Sequence, residues 1–428
     1  MSVRCPALLI AAPASGQGKT TVTAALAAFH RKRGRRVQVF KCGPDFLDPM
    51  ILQRASGHPV HQLDLWMCGE AYCRAQLYQA AQQSDLILVE GVMGLFDGNP
   101  SSADVAAAFN LPVLVVLNAS GMAQTFAALA LGMANLRSDV KVTGMLANRV
   151  GSARHCEMLS EYLPPELPLL GWMPRDANVA LPERHLGLLQ AVEIEDLMVR
   201  IDHAADALQL VSDDLPAAVE FFEQAFPYIP ALLAGVKIAV ARDTVFAFLY
   251  QANLDTLCSL GAQLEFFSPL NDTAMPEADA LYLPGGYPEL HLAQLSGNLS
   301  MQHSIRAHHL HGKPILAECG GMLYLLDRLT DGEGNSAAMT GLLPGQAMMQ
   351  KRMANLGLYS IALPEGVLRG HSFHYSKMET NIAPLVSTVG TREGSKGEPA
   401  YRIGRLHATY LHHYFPSNPE AVARLFKP

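Results

Sequence analysis

The sequence predicts an α/β protein made of two layered domains. Short runs of aliphatic residues recur between longer segments of helical character, which is typical of parallel strands joined by crossover helices. The chain has 428 residues, more than one ordinary hydrophobic core accommodates, so two or three domains are expected. A polar, proline-bearing segment at 212–230 separates two stretches of this alternation. We therefore expect two α/β domains in succession.

The first stretch of alternation precedes residue 190. Predicted helices lie at 20–32 and 124–136, and predicted strands lie at 7–12, 37–41, 86–90, 113–118 and 142–148. The domain is expected to close after 169–174. A helical stretch around 192–210 and the polar segment after it are interpreted as a connection between folding units. We expect a first domain at 1–190 and a helical linker at 191–232.

The second stretch begins at residue 236. Predicted strands lie at 236–241, 264–268, 280–283 and 315–318, and a helix is predicted at 246–260 between the first two. Residues 341–405 are rich in glycine and turn signals, and no elements are assigned there. This stretch predicts a second domain at 233–428.

Composition excludes several classes of function. The net charge of −7, with 17% charged residues, gives no general reason to bind nucleic acid or anionic membrane. The seven cysteines are scattered without the paired spacing of a structural zinc site, so a reducing cytoplasm is the expected location. The apolar run at 6–13 is too short to span a bilayer, and neither it nor any later run is interpreted as a signal peptide or membrane span.

A glycine-rich loop, PASGQGKTT at 13–21, follows a predicted strand and opens a predicted helix. In that setting backbone N–H groups and the positive helix end surround a polyphosphate, so ATP is the expected ligand. Lys19 would meet the outer phosphates and the hydroxyl of Thr20 would face Mg²⁺. The phosphate-binding residues we expect are Gly16, Gln17, Gly18, Lys19, Thr20 and Thr21. Pro13 stands where such loops usually have their first glycine.

Acidic residues follow two other predicted strands. KCGPDFLDP at 41–49 carries Asp45 and Asp48, and LVEGVMGLFDG at 88–98 carries Glu90 and Asp97. Ligands of open α/β sheets bind beyond the carboxyl ends of the strands, and hard cations prefer oxygen ligands. Asp48 and Asp97 also fit ordinary turns, because aspartate is common beside glycine and proline.

A cysteine follows the predicted strand at 315–318 and precedes two glycines in AECGGMLYLL. Such a turn exposes a nucleophile, and the helix start that follows is expected to lower the pKa of the Cys319 thiol and to offer N–H groups to an oxyanion. Gly285 and Gly286 in LYLPGGYPE follow another strand and are a second source of donors. Taken alone, Cys319 also fits a buried structural cysteine.

Together these segments resemble one enzyme family. PASGQGKTT, KCGPDFLDP and VEGVMGLFDG are similar to the ATP-binding half of the cobyrinic acid a,c-diamide synthase family, and more distantly to dethiobiotin synthetase. LYLPGGYPE, AECGGMLYLL, GHSFHYS and ATYLHHYF are similar to its glutaminase half, in the same order along the chain. The resemblance implies an N-terminal P-loop, dethiobiotin-synthetase-like parallel-sheet domain and a C-terminal α/β domain like those of class I glutamine amidotransferases.

The resemblance also implies a reaction. Such an enzyme amidates the a and c carboxylates of cobyrinic or hydrogenobyrinic acid in cobalamin biosynthesis, with ATP and glutamine as co-substrates and Mg²⁺ as cofactor. The carboxylate becomes an acyl phosphate, which ammonia attacks. By position in the matching motifs, the metal ligands would be Thr20, Asp45 and Glu90, whereas Asp48 and Asp97 would lie nearer the reacting carboxylate.

In the glutaminase half the resemblance assigns Cys319 as nucleophile and His412 as base, with His413 as the adjacent competitor. Gly286 and Gly320 would supply the oxyanion donors. Many glutaminases of this fold carry an acidic residue two positions after the base, but Tyr414 stands there, so a cysteine–histidine dyad is expected. Two further sets are left without a catalytic role: a helix-face cluster of His303, His308, His309 and His311, expected to be solvated, and the pair His371 and His374.

Three alternatives stay open. A partitioning-type ATPase would share the loop and the sheet but would not use Cys319 or His412. A cobyric acid synthase would join the same two halves and amidate other carboxylates. A related synthetase would act on another tetrapyrrole. Ammonia released in bulk water would be protonated, so a sheltered path is expected. No nucleic acid or membrane partner is expected, and a homodimer is the candidate assembly.

Overall fold

The structure is a computed structural model that describes residues 1–180 and 190–428. The chain divides into two compact units, Met1–Pro227 and Tyr228–Pro428. Within the described residues, no helix combines the length and the apolar character needed to cross a membrane. All seven cysteines are free thiols.

The first unit is built on a nine-stranded sheet whose strand order is β3-β2-β4-β1-β5-β6-β7-β8, with β9 paired to β1. Neighbouring strands are parallel except for the antiparallel pairs β7–β8 and β1–β9. The strands are β1 (Ser2–Ala11), β2 (Val37–Cys42), β3 (His61–Leu63), β4 (Leu86–Glu90), β5 (Val113–Asn118), β6 (Val142–Val150), β7 (Leu169–Pro174), β8 (Gln209–Leu210) and β9 (Ala218–Phe222).

The helices that cover this sheet are α1 (Lys19–Lys32), α2 (Leu47–Ser56), α3 (Glu70–Gln83), α4 (Ser102–Ala108), α5 (Thr125–Asn135), α6 (Ala153–Ser160) and α7 (Leu197–Ala207). The strands predicted in this unit are confirmed, and so are the helices near 20–32 and 124–136. Strand β1 begins five residues earlier than predicted because its first residues pair with β9. That pairing joins segments more than 200 residues apart, so no local pattern reveals it.

Central strand β4 is buried along its whole length, as expected where helices cover both faces of a parallel sheet. Apolar side chains of β1, β4 and α1 form one core cluster with Leu197, Ile201 and Ala204 of α7. Helix α7 and strands β8 and β9 fall within the segment that we expected to link the domains. They belong to the first unit because the apolar face of α7 is buried in this core cluster, where it packs against α1, and because β8 pairs with β7 and β9 with β1.

The second unit contains a seven-stranded sheet of order β11-β10-β12-β13-β23-β22-β20 and two four-stranded sheets, β15-β14-β16-β19 and β21-β17-β18-β24. Its strands are β10 (Lys237–Ala241), β11 (Gln263–Phe267), β12 (Ala280–Leu283), β13 (Ile315–Glu318), β14 (Leu326–Thr330), β15 (Ser336–Ala338), β16 (Leu343–Met349), β17 (Asn355–Leu363), β18 (Gly366–His374), β19 (Ser376–Glu379), β20 (Val386–Ser387), β21 (Val389–Gly390), β22 (Pro399–Ile403), β23 (Leu406–Thr409) and β24 (His412–Tyr414). Its helices are α8 (Gln251–Ser259), α9 (Leu292–Gly297), α10 (Leu299–Leu310), α11 (Gly320–Leu325) and α12 (Pro419–Phe426).

The four strands predicted here are confirmed, but the start of the helix predicted at 246–260 is wrong. Helix α8 begins at Gln251. The preceding residues pair with the glycine loop that follows β12: the Phe248 amide donates to the Gly285 carbonyl at 3.1 Å, and the Tyr287 amide donates to the Val245 carbonyl at 2.9 Å. These backbone bonds replace the first helical turns.

The expectation of a solvated histidine face on α10 is also wrong in one position. His303 is exposed, but His308 is buried and its Nε2 lies 3.1 Å from the Pro314 carbonyl oxygen. Burial lowers the pKa of His308 to about 4, so this side chain is a neutral part of the core.

Candidate active sites

The phosphate loop connects β1 to α1 with two glycines in the left-handed region. Gly16 has φ 75° and Gly18 has φ 93°, and Gly18 directly precedes α1. A Cβ atom on Gly18 would lie 2.1 Å from the side-chain nitrogen of Asn148, which donates to the Gln17 carbonyl at 2.8 Å. The Gln17 side chain accepts from the Asn118 amide at 2.9 Å. Residues at the ends of β5 and β6 therefore hold the loop in shape.

Lys19 connects the phosphate loop to the segment after β4. Its Nζ donates to the Met93 carbonyl at 2.6 Å and to the Ala14 carbonyl at 3.3 Å. Burial lowers the pKa of Lys19, and the nearby Lys41 ammonium lowers it further. With a free polyphosphate in reach, this ammonium would exchange carbonyl partners for phosphate oxygens.

Lys41 lies at the centre of the acidic residues singled out from the sequence. Its Nζ lies 2.5 Å from Asp48 Oδ2, 2.7 Å from Glu90 Oε1 and 3.5 Å from Asp45 Oδ2. Glu90 Oε1 also accepts from the Thr20 hydroxyl at 2.9 Å. The structure thus brings Thr20, Asp45, Asp48 and Glu90 together around a lysine that the sequence analysis missed.

The electrostatics of this cluster follow from burial and from one cation among three carboxyls. Burial would lower the pKa of Lys41, but Asp48, Glu90 and Asp45 outweigh it and hold this pKa well above its usual range. Burial raises the pKa of Glu90 and of Asp45 to about 7. Burial opposes the ionised form of Asp48 too, but the Lys41 ammonium lowers its pKa to about 2. The cluster therefore carries excess negative charge when fully ionised.

The donor set beside the phosphate loop fits a hard cation. Glu90 Oε2 is buried and has no hydrogen-bond partner among the described residues, and the Thr20 hydroxyl contacts the other oxygen of the same carboxylate. Across residues 1–180 and 190–428, no group of three His, Cys, Asp or Glu side chains has metal-binding geometry by itself. A cation here would need Thr20 or phosphate oxygens as further ligands, as is usual for Mg²⁺.

A cavity of about 900 Å³ opens at this edge of the sheet. Its walls include Lys19, Thr20, Thr21, Asp45 and Asp48. Gln17 and Asp97 do not line it. Asp97 instead accepts a hydrogen bond from the Gly94 amide at 3.0 Å and shapes the loop after β4.

Further polar residues line the cavity at the ends of neighbouring strands, namely Asn118, Asn148, Arg149 and Arg175. Arg149 has φ 57°, an uncommon conformation for a residue other than glycine. None of the four is predicted from the sequence, although all lie in the last residues of β5 and β6 or just after β7. The rule that selected Asp45 and Glu90 would have found them.

The second site is built on the turn after β13. Cys319 has φ 44° and ψ −109° and immediately precedes α11. Its amide donates to the Thr409 carbonyl at 2.8 Å, which ties the turn to β23. A cysteine in this sparsely populated region stores backbone strain, which is frequent at functional turns.

The glycines around this turn allow close backbone approach. A Cβ on Gly286 would lie 1.6 Å from the Val245 carbonyl oxygen, and one on Gly321 would lie 2.1 Å from the Leu283 carbonyl oxygen. A Cβ on Gly320 would lie 2.7 Å from the Gly286 carbonyl oxygen. The backbone at Gly286 therefore packs directly against the backbone at Gly320, the two glycines expected to donate to an oxyanion.

Gly285 lies between the thiol and an imidazole. A Cβ there would be 2.2 Å from Cε1 of His412 and 3.4 Å from Cβ of Cys319. His413, the adjacent competitor, contacts a different partner: its Nδ1 lies 2.7 Å from Glu318 Oε1 and its amide donates to the same oxygen. The structure therefore brings His412, rather than His413, to the cysteine turn.

The expected lowering of the thiol pKa is wrong. Burial raises the pKa of Cys319 far above 9.0, and the Glu289 carboxylate raises it further, against a smaller opposing effect of the Gly320 amide. Burial and the neighbouring His371, His413 and His374 lower the pKa of His412 well below 6.5. These shifts favour a neutral thiol and a neutral imidazole in the resting site.

Comparisons with known proteins agree with both halves. Residues 8–189 match the family described as CobQ/CobB/MinD/ParA nucleotide binding domain, and residues 237–420 match the CobB/CobQ-like glutamine amidotransferase domain. Fold and sites thus define a glutamine-hydrolysing ligase with an attached nucleotide-binding domain. The partitioning-type ATPase alternative leaves residues 237–420 without an explanation.

Full-length relatives narrow this class to one family. The chain is 59% identical over 426 residues to the hydrogenobyrinate a,c-diamide synthase of Pseudomonas aeruginosa, covering 99% of this chain and 98% of that protein. It is 59% identical to the same-named protein of Stutzerimonas stutzeri, with 100% of both chains covered, and 51% identical to the cobyrinate a,c-diamide synthase of Herminiimonas arsenicoxydans, with 98% and 96% covered. The chain belongs to the hydrogenobyrinate and cobyrinate a,c-diamide synthase family.

Proposed function

We propose that this chain amidates the a and c carboxylates of hydrogenobyrinic or cobyrinic acid, with ATP and glutamine as co-substrates. The observation that carries the proposal is the presence in one chain of a phosphate loop beside a carboxylate cluster and of Cys319 beside His412. A carboxylate is a poor electrophile, and phosphoryl transfer from ATP makes it reactive. The names of the full-length relatives support the corrin acceptor, and the two at 59% identity favour the metal-free one.

In the first unit the acceptor carboxylate attacks the terminal phosphate of ATP, giving an acyl phosphate and ADP. Lys19 and the loop amides of residues 16–21 bind the phosphates and neutralise their charge. Thr20, Asp45 and Glu90 would hold Mg²⁺, which supplies further neutralisation of the phosphate oxygens. Asp48 lines the cavity and would face the acceptor, and Asp97 would act near it through the loop after β4.

In the second unit the Cys319 sulfur attacks the side-chain amide of glutamine while its proton passes to His412. The amides of Gly286 and Gly320 would donate to the oxyanion that forms. His412 then returns the proton to the leaving nitrogen, so ammonia departs and a thioester stays on Cys319. Water hydrolyses the thioester to glutamate, and ammonia displaces phosphate from the acyl phosphate to give the amide. Seven free thiols support a reducing, cytoplasmic location for this chemistry.

The test is incubation of the purified chain with ATP, Mg²⁺, glutamine and either hydrogenobyrinic or cobyrinic acid, followed by mass spectrometry of the tetrapyrrole. We expect a product with two carboxyls converted to amides, and fragmentation that assigns them to the a and c side chains. Unchanged mass with both acceptors would contradict the proposal. Amidation at other carboxyls would favour the cobyric acid synthase alternative.

A further inference from the structure

His371 lies directly opposite His412 in the sheet. Strands β18 and β24 are antiparallel, and these two residues are cross-strand partners in their register. Their ring centroids are 4.9 Å apart and the ring planes differ by 18°, so the imidazoles are stacked. Cross-strand partners of this kind restrict each other's side-chain rotamers. One face of the His412 ring is therefore defined by His371.

The His371 ring is itself held in place. Its Nδ1 lies 2.9 Å from the hydroxyl oxygen of Tyr250, a buried residue just before α8. Tyr250 packs edge-on against Tyr414 at 5.4 Å between ring centroids. Burial lowers the pKa of His371 to about 3, so the ring is neutral near pH 7. The neutral tautomer that accepts from Tyr250 carries its proton on Nε2.

The other buried histidine of the same strand does not make this contact. His374 Nε2 lies 2.8 Å from Glu398 Oε1, and its ring stacks on Tyr410 with centroids 3.7 Å apart. Position 414, where a carboxylate could orient the base, holds a tyrosine. Stacking by His371 is thus the contact on this strand that can set the plane of the His412 ring.

We propose that His371 is a positioning residue for glutamine hydrolysis, and that Tyr250 acts through it by fixing the ring that stacks on His412. The inference rests on the proposed role of His412 as the base. A carboxylate would fix the plane of the imidazole and also raise its basicity. A stacked neutral ring fixes the plane and leaves the basicity unchanged. Loss of the stack should therefore slow proton transfer and leave glutamine binding intact, so kcat falls and KM for glutamine does not.

Two substitutions of His371 distinguish the effect of a flat, stacking ring from the effect of side-chain volume. His371→Phe keeps a ring that can stack, whereas His371→Leu fills similar space without one. We expect kcat for glutamate release to fall about 100-fold in the Leu variant, because misplacement of a reacting group by about 1 Å costs on the order of that factor. The Phe variant keeps the stack but loses the bond to Tyr250, so its kcat should fall no further than that of Tyr250→Phe and stay well above that of the Leu variant. His303→Leu, at an exposed position of α10, is the matched control and should behave as the native chain does.

A double-mutant cycle tests the role of Tyr250. Tyr250→Phe removes only the hydroxyl, and we expect it to lower kcat in the native background but not in the His371→Phe background, where the hydroxyl has no imidazole nitrogen to bind. Equal effects of Tyr250→Phe in both backgrounds would overturn the assignment of Tyr250. Because this substitution is small, it also keeps the idea testable if His371→Leu fails to fold.

All rates are measured as glutamate release by the full chain with ATP, Mg²⁺ and hydrogenobyrinic acid, beside amidation with added ammonium chloride. Amidation from ammonium should persist in every variant. A native-like kcat in His371→Leu, or an equal fall in the Leu and Phe variants, would overturn the positioning role. Absence of glutamate release by the native chain would instead overturn the proposed function, and this inference with it.

Discussion

Lys41 and Glu90 form an ion pair in the interior of the first unit. Lys41 Nζ lies 2.7 Å from Glu90 Oε1, and the two side chains are 2% and 0% exposed. The same ammonium contacts Asp48 and Asp45 and is the cation that balances this cluster. Lys41 thus joins the end of strand β2 to the end of strand β4 beside the phosphate loop.

Removing that cation should damage stability as well as ATP use. Lys41→Met leaves buried carboxylates without their partner, and breaking such a pair typically costs about 3–5 kcal/mol of unfolding free energy. Both tryptophans, Trp66 and Trp172, lie in the first unit, so fluorescence during guanidinium unfolding reports on this unit. Arg154→Met, which breaks an exposed ion pair with Glu157, is the control and should change little. Equal stability of the two variants would contradict a compensating role for Lys41.

Glu90→Gln should slow amidation from either nitrogen source. The substitution keeps the size of the side chain but removes the negative charge of Glu90, which contacts Thr20 and Lys41 and would contact the expected cation. Phosphoryl transfer depends mainly on positioning and charge neutralisation, so we expect kcat to fall about 100-fold with glutamine and with ammonium chloride alike. Initial rates of ADP release measure this. A fall with glutamine alone would place the defect in the second unit and contradict the assignment.

Cys319→Ala should abolish glutamine-dependent amidation and spare amidation from ammonium. We expect glutamate release to fall by about a thousandfold or more, because the proposed covalent step needs the thiol of Cys319. Loss of both activities would contradict this division of labour. Cys319→Gly removes the same thiol, but glycine adopts φ 44° with less strain than alanine does. The free energy of unfolding of the Gly variant should therefore be about 1 kcal/mol higher than that of the Ala variant. The comparison of the two variants distinguishes the catalytic effect of losing the thiol from the effect of backbone strain at position 319.

Much of the fold and of both sites could be predicted because it depends on local pattern. Buried strands such as β4 are continuous apolar runs, and the residues that end them, such as Glu90, fall at one edge of a parallel sheet. Lys41 could have been found by the same reasoning, since a lone charge in the apolar run 37–42 requires a buried partner.

The errors concern interactions between distant segments. The helix predicted at 246–260 begins at Gln251 because Phe248, just before it, pairs with Gly285 in the distant loop after β12. The pKa of Cys319 has the opposite shift from the one expected, because a helix start of six residues does not outweigh burial beside Glu289. The stack of His371 on His412 depends on a strand register that the glycine-rich stretch 341–405 does not reveal.

Acid should destabilise the second unit. Burial lowers the pKa of His371 to about 3 and of His308 to about 4, and lowers those of His412 and His407 well below 6.5. The unfolded chain therefore binds more protons than the folded one once the pH falls below about 6.5. The contribution of these four histidines to stability is full above that pH and is lost as the pH falls toward the folded values, by about 1.4 kcal/mol per pH unit for each histidine.

The loss of stability can be measured by hydrogen exchange at pH values between 7 and 5, with mass spectrometry of peptides that contain β23. The observed rates are corrected for the intrinsic exchange rate at each pH. His308→Gln removes one of the titrating groups and should lessen the dependence on pH, and His303→Gln controls for the substitution itself. Protection that does not fall between pH 7 and pH 5 would show that these histidines are not held neutral in the folded chain.

Gly285→Ala should disable His412 by contact alone. The added Cβ would lie 2.2 Å from His412 Cε1, whereas Gly285 itself needs no left-handed backbone. The imidazole must move away from Cys319, so we expect glutamate release to fall about 100-fold while amidation from ammonium continues.

Gly312→Ala is the control for backbone strain without a side-chain clash, because φ at Gly312 is 70° and nothing lies within 4 Å of the added Cβ. That variant should lose some stability but keep its kcat for glutamate release. If Gly285→Ala also keeps the native kcat for glutamate release, then hydrolysis does not need His412 beside Cys319. The base must then be another residue of the second unit.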